Sequence, residues 1–324
     1  MKRFAVVTLA AVTLFAAFVY LNNSSLLTTS PSGPMVLLAH RGLAQTFSHE
    51  GLDAETCTAE RMNPPEHPFL ENTLASMDAA FRAGADVVEF DVQPTTDGQF
   101  AVFHDWRLEC RTEGKGVTRE HTLAELKALD VGYGYTADGG VTHPFRGKGV
   151  GLMPSLEEVL AAFPDKRFLV NVKSNDPAEG ELLATQLAQL APQSQARLMA
   201  YGGKRPIDAL HARLASIPVG SNKSLKDCLL RYLLLGWSGH VPDACRQGFM
   251  MIPVNVAHWA WGWPDRFLQR MNKAGVQVFV LGAYDGGYGS SGIDDVKQLS
   301  ELPDRFAGGI WTNRIGRAVR SKPD

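Results

Sequence analysis

From residue 35 onward the chain alternates short apolar runs with amphipathic stretches. The apolar runs fall at 35–39, 86–92, 99–103, 168–172, 197–201, 217–220, 249–256, 276–281 and 309–311, with helix-like stretches at 73–83, 155–163, 178–191 and 264–273. This is the rhythm of a parallel sheet whose strands are joined by helices. The runs are short and continuously apolar, as in strands buried on both faces, and lack the alternation of antiparallel sheets. With 99–103 counted as an extra strand, the pattern predicts an α/β fold, a single (β/α)8 TIM-type barrel over residues 35–317. An open doubly wound sheet is the runner-up. No Gly-x-Gly-x-x-Gly follows the first run, so a dinucleotide site loses its main support. Two segments break the rhythm: 43–70, polar and Pro-containing, and 114–153, rich in Gly and Tyr. Each follows a strand end, so both are expected as loop insertions on the carboxyl face.

The first residues are different. Lys2 and Arg3 precede an uncharged run over 4–21, the layout of a signal peptide or membrane anchor over residues 1–21. Eighteen residues rise about 27 Å, close to the roughly 30 Å of a hydrocarbon core. No small-x-small cleavage pattern follows, which favours retention, with the domain outside, over cleavage. The Ser, Thr, Asn and Pro of 22–34 read as a flexible linker and 318–324 as a tail. The domain is thus expected in a periplasmic or secreted space, with the inner membrane as its anchor if the segment is kept.

That setting changes the reading of Cys57, Cys110, Cys228 and Cys245, an even number in an oxidising compartment. Cys228 with Cys245, close in sequence, and Cys57 with Cys110, flanking segments that must meet, are the favoured disulfides. A net charge of -2 and the lack of any like-charge block give no attraction to nucleic acid, so none is expected as a partner.

In such a barrel the chemistry sits at the carboxyl ends of the strands. Those ends read His40-Arg41-Gly42, Glu89-Phe90-Asp91, His104-Asp105 and Asn171-Val172-Lys173. Side chains two apart share a strand face, so Glu89 joins Asp91, and Asn171 joins Lys173. Two carboxylates side by side in an apolar strand repel each other unless a cation lies between them, and hard oxygen ligands select Ca2+ or Mg2+. A structural ion-pair network is the bland alternative. Polar groups at four strand ends favour a site. His49, His67, His121, His143, His211, His240 and His258 are isolated and are expected to be solvated or packed. The aromatic run His258-Trp259-Ala260-Trp261-Gly262-Trp263 suits a pocket lining or ordinary packing equally well.

The succession His40-Arg41-Gly42, Glu71-Asn72-Thr73, the 84–92 strand through Glu89 and Asp91, Thr96-Asp97-Gly98, Val102-Phe103-His104-Asp105, Arg111-Thr112 and the 154–159 stretch resembles the glycerophosphodiester phosphodiesterase family, within the PI-PLC-like superfamily. The second half matches only loosely, through Gly275-Val276 and the closing 309–313 stretch. The resemblance implies a metal-assisted phosphoric diester hydrolase that yields glycerol 3-phosphate and an alcohol. It implies His40 and His104 as the catalytic acid and base, Arg41 and Lys173 as substrate-binding cations, and Glu89 and Asp91 as ligands of a divalent cation. Asn171 stands where the family usually has a Glu ligand, so a third metal position would be neutral and affinity lower. Two alternatives follow: a lipid phosphodiesterase resembling sphingomyelinase D or lysophospholipase D, and a degenerate barrel that binds a phosphodiester without turnover.

Overall fold

The structure, a computed structural model, describes residues 2–28, 33–53, 55–246, 248–287, 291–303 and 306–320. Its strands are β1 (Val36–His40), β2 (Val87–Pro94), β3 (Phe100–Val102), β4 (Arg167–Val172), β5 (Leu198–Gly202), β6 (Val219–Ser221), β7 (Phe249–Pro253), β8 (Gln277–Leu281) and β9 (Gly309–Thr312). They hydrogen-bond in the order β6-β5-β4-β2-β1-β9-β8-β7, and a parallel bridge from Val219 to Gly248 joins the two ends. Eight parallel strands therefore close into a barrel. β3 stands outside the ring, antiparallel to β2. It is the extra strand of the sequence pattern.

Period-two alternation divides each strand between the barrel interior and the helical layer. Leu38, Val87, Leu169, Met199, Phe249, Phe279 and Trp311 pack together inside. Ala39, Val88, Phe90, Phe168, Val170 and Ala200 face the other way, into the large core beneath the helices. Two residues above the inner apolar layer, the same faces carry His40, Glu89, Asn171, Tyr201 and Asn313. The interior is thus apolar at its base and polar at its carboxyl mouth.

The helices begin where their sequence can satisfy free backbone N–H groups. Thr73 accepts from Ser76 N ahead of the helix Leu74–Arg82, and Ser155 accepts from Glu158 N ahead of Leu156–Ala162; both are reciprocal capping boxes. Helices Lys204–Arg213 and Asn222–Leu235 were not singled out in the sequence pattern.

The 43–70 and 114–153 segments have little regular structure but share a satellite core of Ala59, Met62, Leu70, Phe103, Leu108, Leu126, Tyr135 and Phe145. Both expected disulfides are present, and Cys57–Cys110 ties the 43–70 segment to the Leu108–Cys110 turn that precedes the second segment. The 258–263 run mostly packs: Trp263 lies against Phe267 and Phe306, and Trp261 Nε1 donates to Leu233 O, whereas Trp259 is exposed. At the amino end is a helix Lys2–Asn23, whose Arg3–Asn23 stretch, of mean hydropathy 2.4, is long and apolar enough to cross a membrane. Of the expected 22–34 linker, residues 29–32 lie outside the described residues, as do 321–324 of the tail.

Candidate active site

Strand register brings the polar groups to one level. His40 pairs with Glu89, and Asp91, Asn171 and Tyr201 form one row across β2, β4 and β5. Glu89 and Asp91 are wholly buried.

Asp91 is saturated with donors. Its Oδ1 accepts from Asn171 Nδ2 at 2.8 Å and lies 3.4 Å from Lys173 Nζ. Its Oδ2 accepts from Asn72 Nδ2 at 2.9 Å and lies 3.3 Å from Arg41 Nε. Burial alone would raise the carboxyl's pKa, but the Lys173 and Arg41 charges hold it well below the usual range. Glu89 has the opposite fate. Burial, then the neighbouring Asp91 charge, pushes it up, although Tyr201 OH donates to Oε1 at 2.7 Å and Arg41 N to Oε2 at 3.1 Å.

Arg41 and Asn72 take left-handed backbone conformations, with φ of 57° and 59°. Non-glycine residues adopt this region only when their surroundings impose it. Here the Arg41 N–H bond to Glu89 and the Asn72 N–H bond to Arg41 O, 3.0 Å, provide the constraint. Gly42 follows because a Cβ there would sit 2.6 Å from Ser76 Oγ. The turn aims the Arg41 guanidinium back across the barrel mouth, where Nη1 donates to Glu71 Oε1 at 2.9 Å.

Both histidines are held by their Nδ1 atoms. Asn313 Nδ2 donates to Asp294 Oδ2 at 2.8 Å, which turns Asn313 Oδ1 toward His40 Nδ1, 2.6 Å away. An amide oxygen only accepts, so His40 carries its proton on Nδ1, and Nε2 holds a lone pair 3.8 Å from Glu89 Oε2. Asp105 Oδ1 likewise accepts from His104 Nδ1 at 2.7 Å. Arg111 secures that carboxylate by an ion pair and also donates to Glu71 Oε2 at 3.2 Å, Thr58 Oγ1 at 2.7 Å and Tyr135 OH at 3.0 Å. Burial and then the Arg41 charge lower the pKa of both rings, His40 to about 3 and His104 to about 4. Both are neutral at pH 7.

The structure therefore gathers all seven residues proposed from the sequence, His40, Arg41, Glu89, Asp91, His104, Asn171 and Lys173, at one barrel mouth. Sequence reasoning gave no role to Tyr201, Asp294, Asn313 or the Glu71-Asp105-Arg111 group that holds His104. Glu71, Asp105, Arg111 and Asn313 lie in the motif stretches, and Tyr201 left a signal as a polar residue at a strand end. On the same face a cleft of about 320 Å³ opens between His49-Glu50 and the Tyr284-Asp285 loop. His67, by contrast, bonds to Ala44 O at 3.2 Å, and His258 packs on Trp263.

A model of the glycerophosphoryl diester phosphodiesterase family matches residues 40–197. The glycerophosphodiester phosphodiesterase of Caldanaerobacter subterraneus subsp. tengcongensis is 39% identical over 103 residues, 32% of this chain and 39% of that protein. Its namesake in Bacillus subtilis is 38% identical over 114 residues, 34% of this chain and 38% of that protein. The aligned stretches thus cover well under half of these relatives. Among solved structures, the glycerophosphoryl diester phosphodiesterase domain of an uncharacterised Mycobacterium tuberculosis protein superposes with a TM-score of 0.62 at 17% identity, covering 89% of this chain and 99% of that one. An Oleispira antarctica phosphodiesterase, solved with sn-glycerol-3-phosphate, gives 0.57 at 21% identity, covering 89% and 96%. These likenesses establish the fold. The family match opens on His40 and runs to the start of β5, so it spans the HRG turn, both β2 carboxylates and Lys173, and over residues 40–197 the chain is similar to the glycerophosphoryl diester phosphodiesterase family.

Proposed function

We propose that this chain hydrolyses glycerophosphodiesters to glycerol 3-phosphate and an alcohol. The observation that carries this reading is the pair of neutral histidines, each with Nδ1 engaged and Nε2 left with its lone pair, beside two cations and two buried carboxylates. Hydrolysis of a phosphodiester requires one group to take a proton from the attacking water, another to protonate the departing alkoxide, and positive charge around the phosphoryl oxygens.

His104 suits the base. The Asp105 carboxylate on its Nδ1 stabilises the imidazolium that forms when Nε2 takes the water proton. His40 suits the acid, because its Nδ1 partner is a neutral amide and its protonated form gives up a proton more readily. Arg41 is the second-largest cause depressing both rings. A phosphate anion paired with Arg41 and Lys173 cancels that effect and lets His40 carry its proton. The water oxygen then bonds to phosphorus, the bond from phosphorus to the alcohol oxygen breaks, and His40 protonates the alkoxide.

The buried Glu89 and Asp91 fit a divalent cation, Ca2+ or Mg2+, since Glu89 is driven up in pKa by burial and by Asp91. When bound, the cation supplies charge neutralisation at the phosphoryl oxygens. Among the described residues no group of three acidic, His or Cys side chains could hold a metal, and Asn171 turns its Nδ2 toward Asp91. Binding is therefore expected to be weak. That the Oleispira antarctica phosphodiesterase was solved with sn-glycerol-3-phosphate agrees with this product class.

The deciding experiment is hydrolysis of a panel of glycerophosphodiesters with calcium, magnesium or chelator. Release of glycerol 3-phosphate is expected. A protein that binds these compounds without cleaving any is a degenerate barrel.

A further inference from the structure

The apolar amino-terminal helix is built into the domain at one end only. The buried Arg270 donates through Nη1 to Asn23 Oδ1 and Gly236 O, both 2.9 Å, and through Nη2 to Asn22 O at 2.7 Å. Asn22 and Asn23 donate to Trp237 O at 3.1 and 2.8 Å, and Phe15 meets the Trp237 ring edge-on at 5.4 Å. Loss of residues 1–23 would strip partners from a buried guanidinium, which argues for a retained anchor.

The contact lies on the face opposite the active site. The turn Gly236–Ser238 ends the helix Asn222–Leu235, which leaves β6 and returns toward the amino ends of the strands. Val219 is level with Gly248, and Cys228, midway along the helix, is bonded to Cys245, four residues before β7 starts. The last two turns thus extend beyond the strand starts. Leu268 and Asn272, flanking Arg270 on its helix, line a cavity with Val36, Gly248 and Gly309 at the amino ends of β1, β7 and β9.

These last turns are apolar where they meet water. Leu230 and Leu234, one turn apart, are 55% and 71% exposed, and Leu235 is 41% exposed. They continue the surface of the anchor. Trp237 O accepts from Asn22 and Asn23 at the polar end of the helix while its ring reaches back to Phe15, so Trp237 lies at the lipid boundary once the helix spans.

We propose that the amino face of the barrel, through Trp237 and the Leu230-Leu234-Leu235 stripe, beds into the leaflet crossed by the Lys2–Asn23 helix. The active site then faces away from the lipid, farther off by at least the height of the barrel, about 20 Å for six strand residues. Its substrates are water-soluble, deacylated glycerophosphodiesters and not membrane-embedded phospholipids. This last clause rests on the hydrolase function proposed above.

Tryptophans report on both faces. Trp106, 46% exposed, lies two residues after His104 of the site, and Trp259, 76% exposed, follows the carboxyl end of β7. The full chain is reconstituted in phosphatidylcholine vesicles with brominated acyl chains, which quench tryptophan at the lipid. Trp237→Phe should remove most of the quenched emission and Trp106→Phe or Trp259→Phe none. A Leu230→Ser/Leu234→Ser variant, which keeps Trp237, should lose most of the quenching. Quenching that survives in both Trp237→Phe and the double serine variant, or vanishes in Trp106→Phe or Trp259→Phe, overturns the orientation. In the same vesicles, dissolved glycerophosphocholine should be cleaved and the vesicle phosphatidylcholine left intact. Cleavage of the lipid sinks the inference while the family chemistry stands. Cleavage of neither, with the quenching pattern as expected, sinks the hydrolase function and leaves the orientation standing.

Discussion

Arg111→Met is expected to be among the most destabilising single changes near the site. The guanidinium is 2% exposed and bridges two carboxylates, Asp105 and Glu71, while also donating to Thr58 and Tyr135. Burial alone would raise the pKa of Glu71, yet Arg111 and Arg41 lower it to about 2. From an unfolded value of 4.5 this corresponds to about 3 kcal/mol at neutral pH, at about 1.4 kcal/mol per unit. Because the folded pKa is depressed, this stability is fully present above pH 4.5 and is lost as the pH falls through about 2. Methionine keeps much of the volume and removes the charge. Glu71 retains Arg41 and Asp105 retains His104, so the loss is part of each ion pair plus the cost of a carboxylate left short of partners, about 3–5 kcal/mol. Urea unfolding followed by tryptophan fluorescence measures it, with a fall in melting temperature of roughly 6–20 °C. Arg107→Met, which removes an exposed pair with Glu109, is the control and should leave the urea midpoint near that of the parent. If Arg111→Met also stays within about 1 kcal/mol of the parent, the network contributes no net stability and the reasoning fails.

His40→Ala and His104→Ala should each lower turnover about 100- to 10,000-fold with unchanged circular dichroism; near-parental turnover in either removes that residue's role. His40 and His104 bind protons less readily folded, at about 3 and 4, than unfolded, at 6.5, so they cost stability as the pH drops below 6.5. A His40→Gln/His104→Gln variant should accordingly show a flatter acid limb in urea midpoints, and an unchanged limb contradicts the burial argument. Asn171→Glu should tighten the calcium or magnesium dependence of activity, and chelator should abolish activity in the parent; full activity after exhaustive chelation, retained in Glu89→Gln, means that Arg41 and Lys173 carry the phosphate charge alone. Removing the Cys57–Cys110 bond, which closes a separation of 53 residues, should cost about 4 kcal/mol in the chain-entropy model and loosen the Arg111 turn, read as a lower urea midpoint in Cys57→Ser/Cys110→Ser.

The barrel was legible because its signal is local. A strand buried on both faces must be apolar throughout, and 168–172 or 276–281 says so without reference to the rest of the chain. Polar residues at the ends of such runs, Glu89 with Asp91 and Asn171 with Lys173, stand out for the same reason, since burial without a partner would be too costly to keep. The helix Asn222–Leu235 was missed because its exposed leucines, Leu230, Leu234 and Leu235, blur the amphipathic pattern. The contact that holds His40 was illegible for another reason. Asn313 lies 273 residues from His40, and Asp294, which turns the Asn313 amide, lies in a loop with no pattern of its own. Their meeting depends on β9 closing against β1, a register that pairs Ala39 with Thr312 and so sets Asn313 beside His40. Nothing in either segment specifies that contact alone. It follows that the choice of which histidine nitrogen faces the substrate is a property of barrel closure, and that a change weakening β9, such as Thr312→Pro, should damage catalysis through His40 before it unfolds β2.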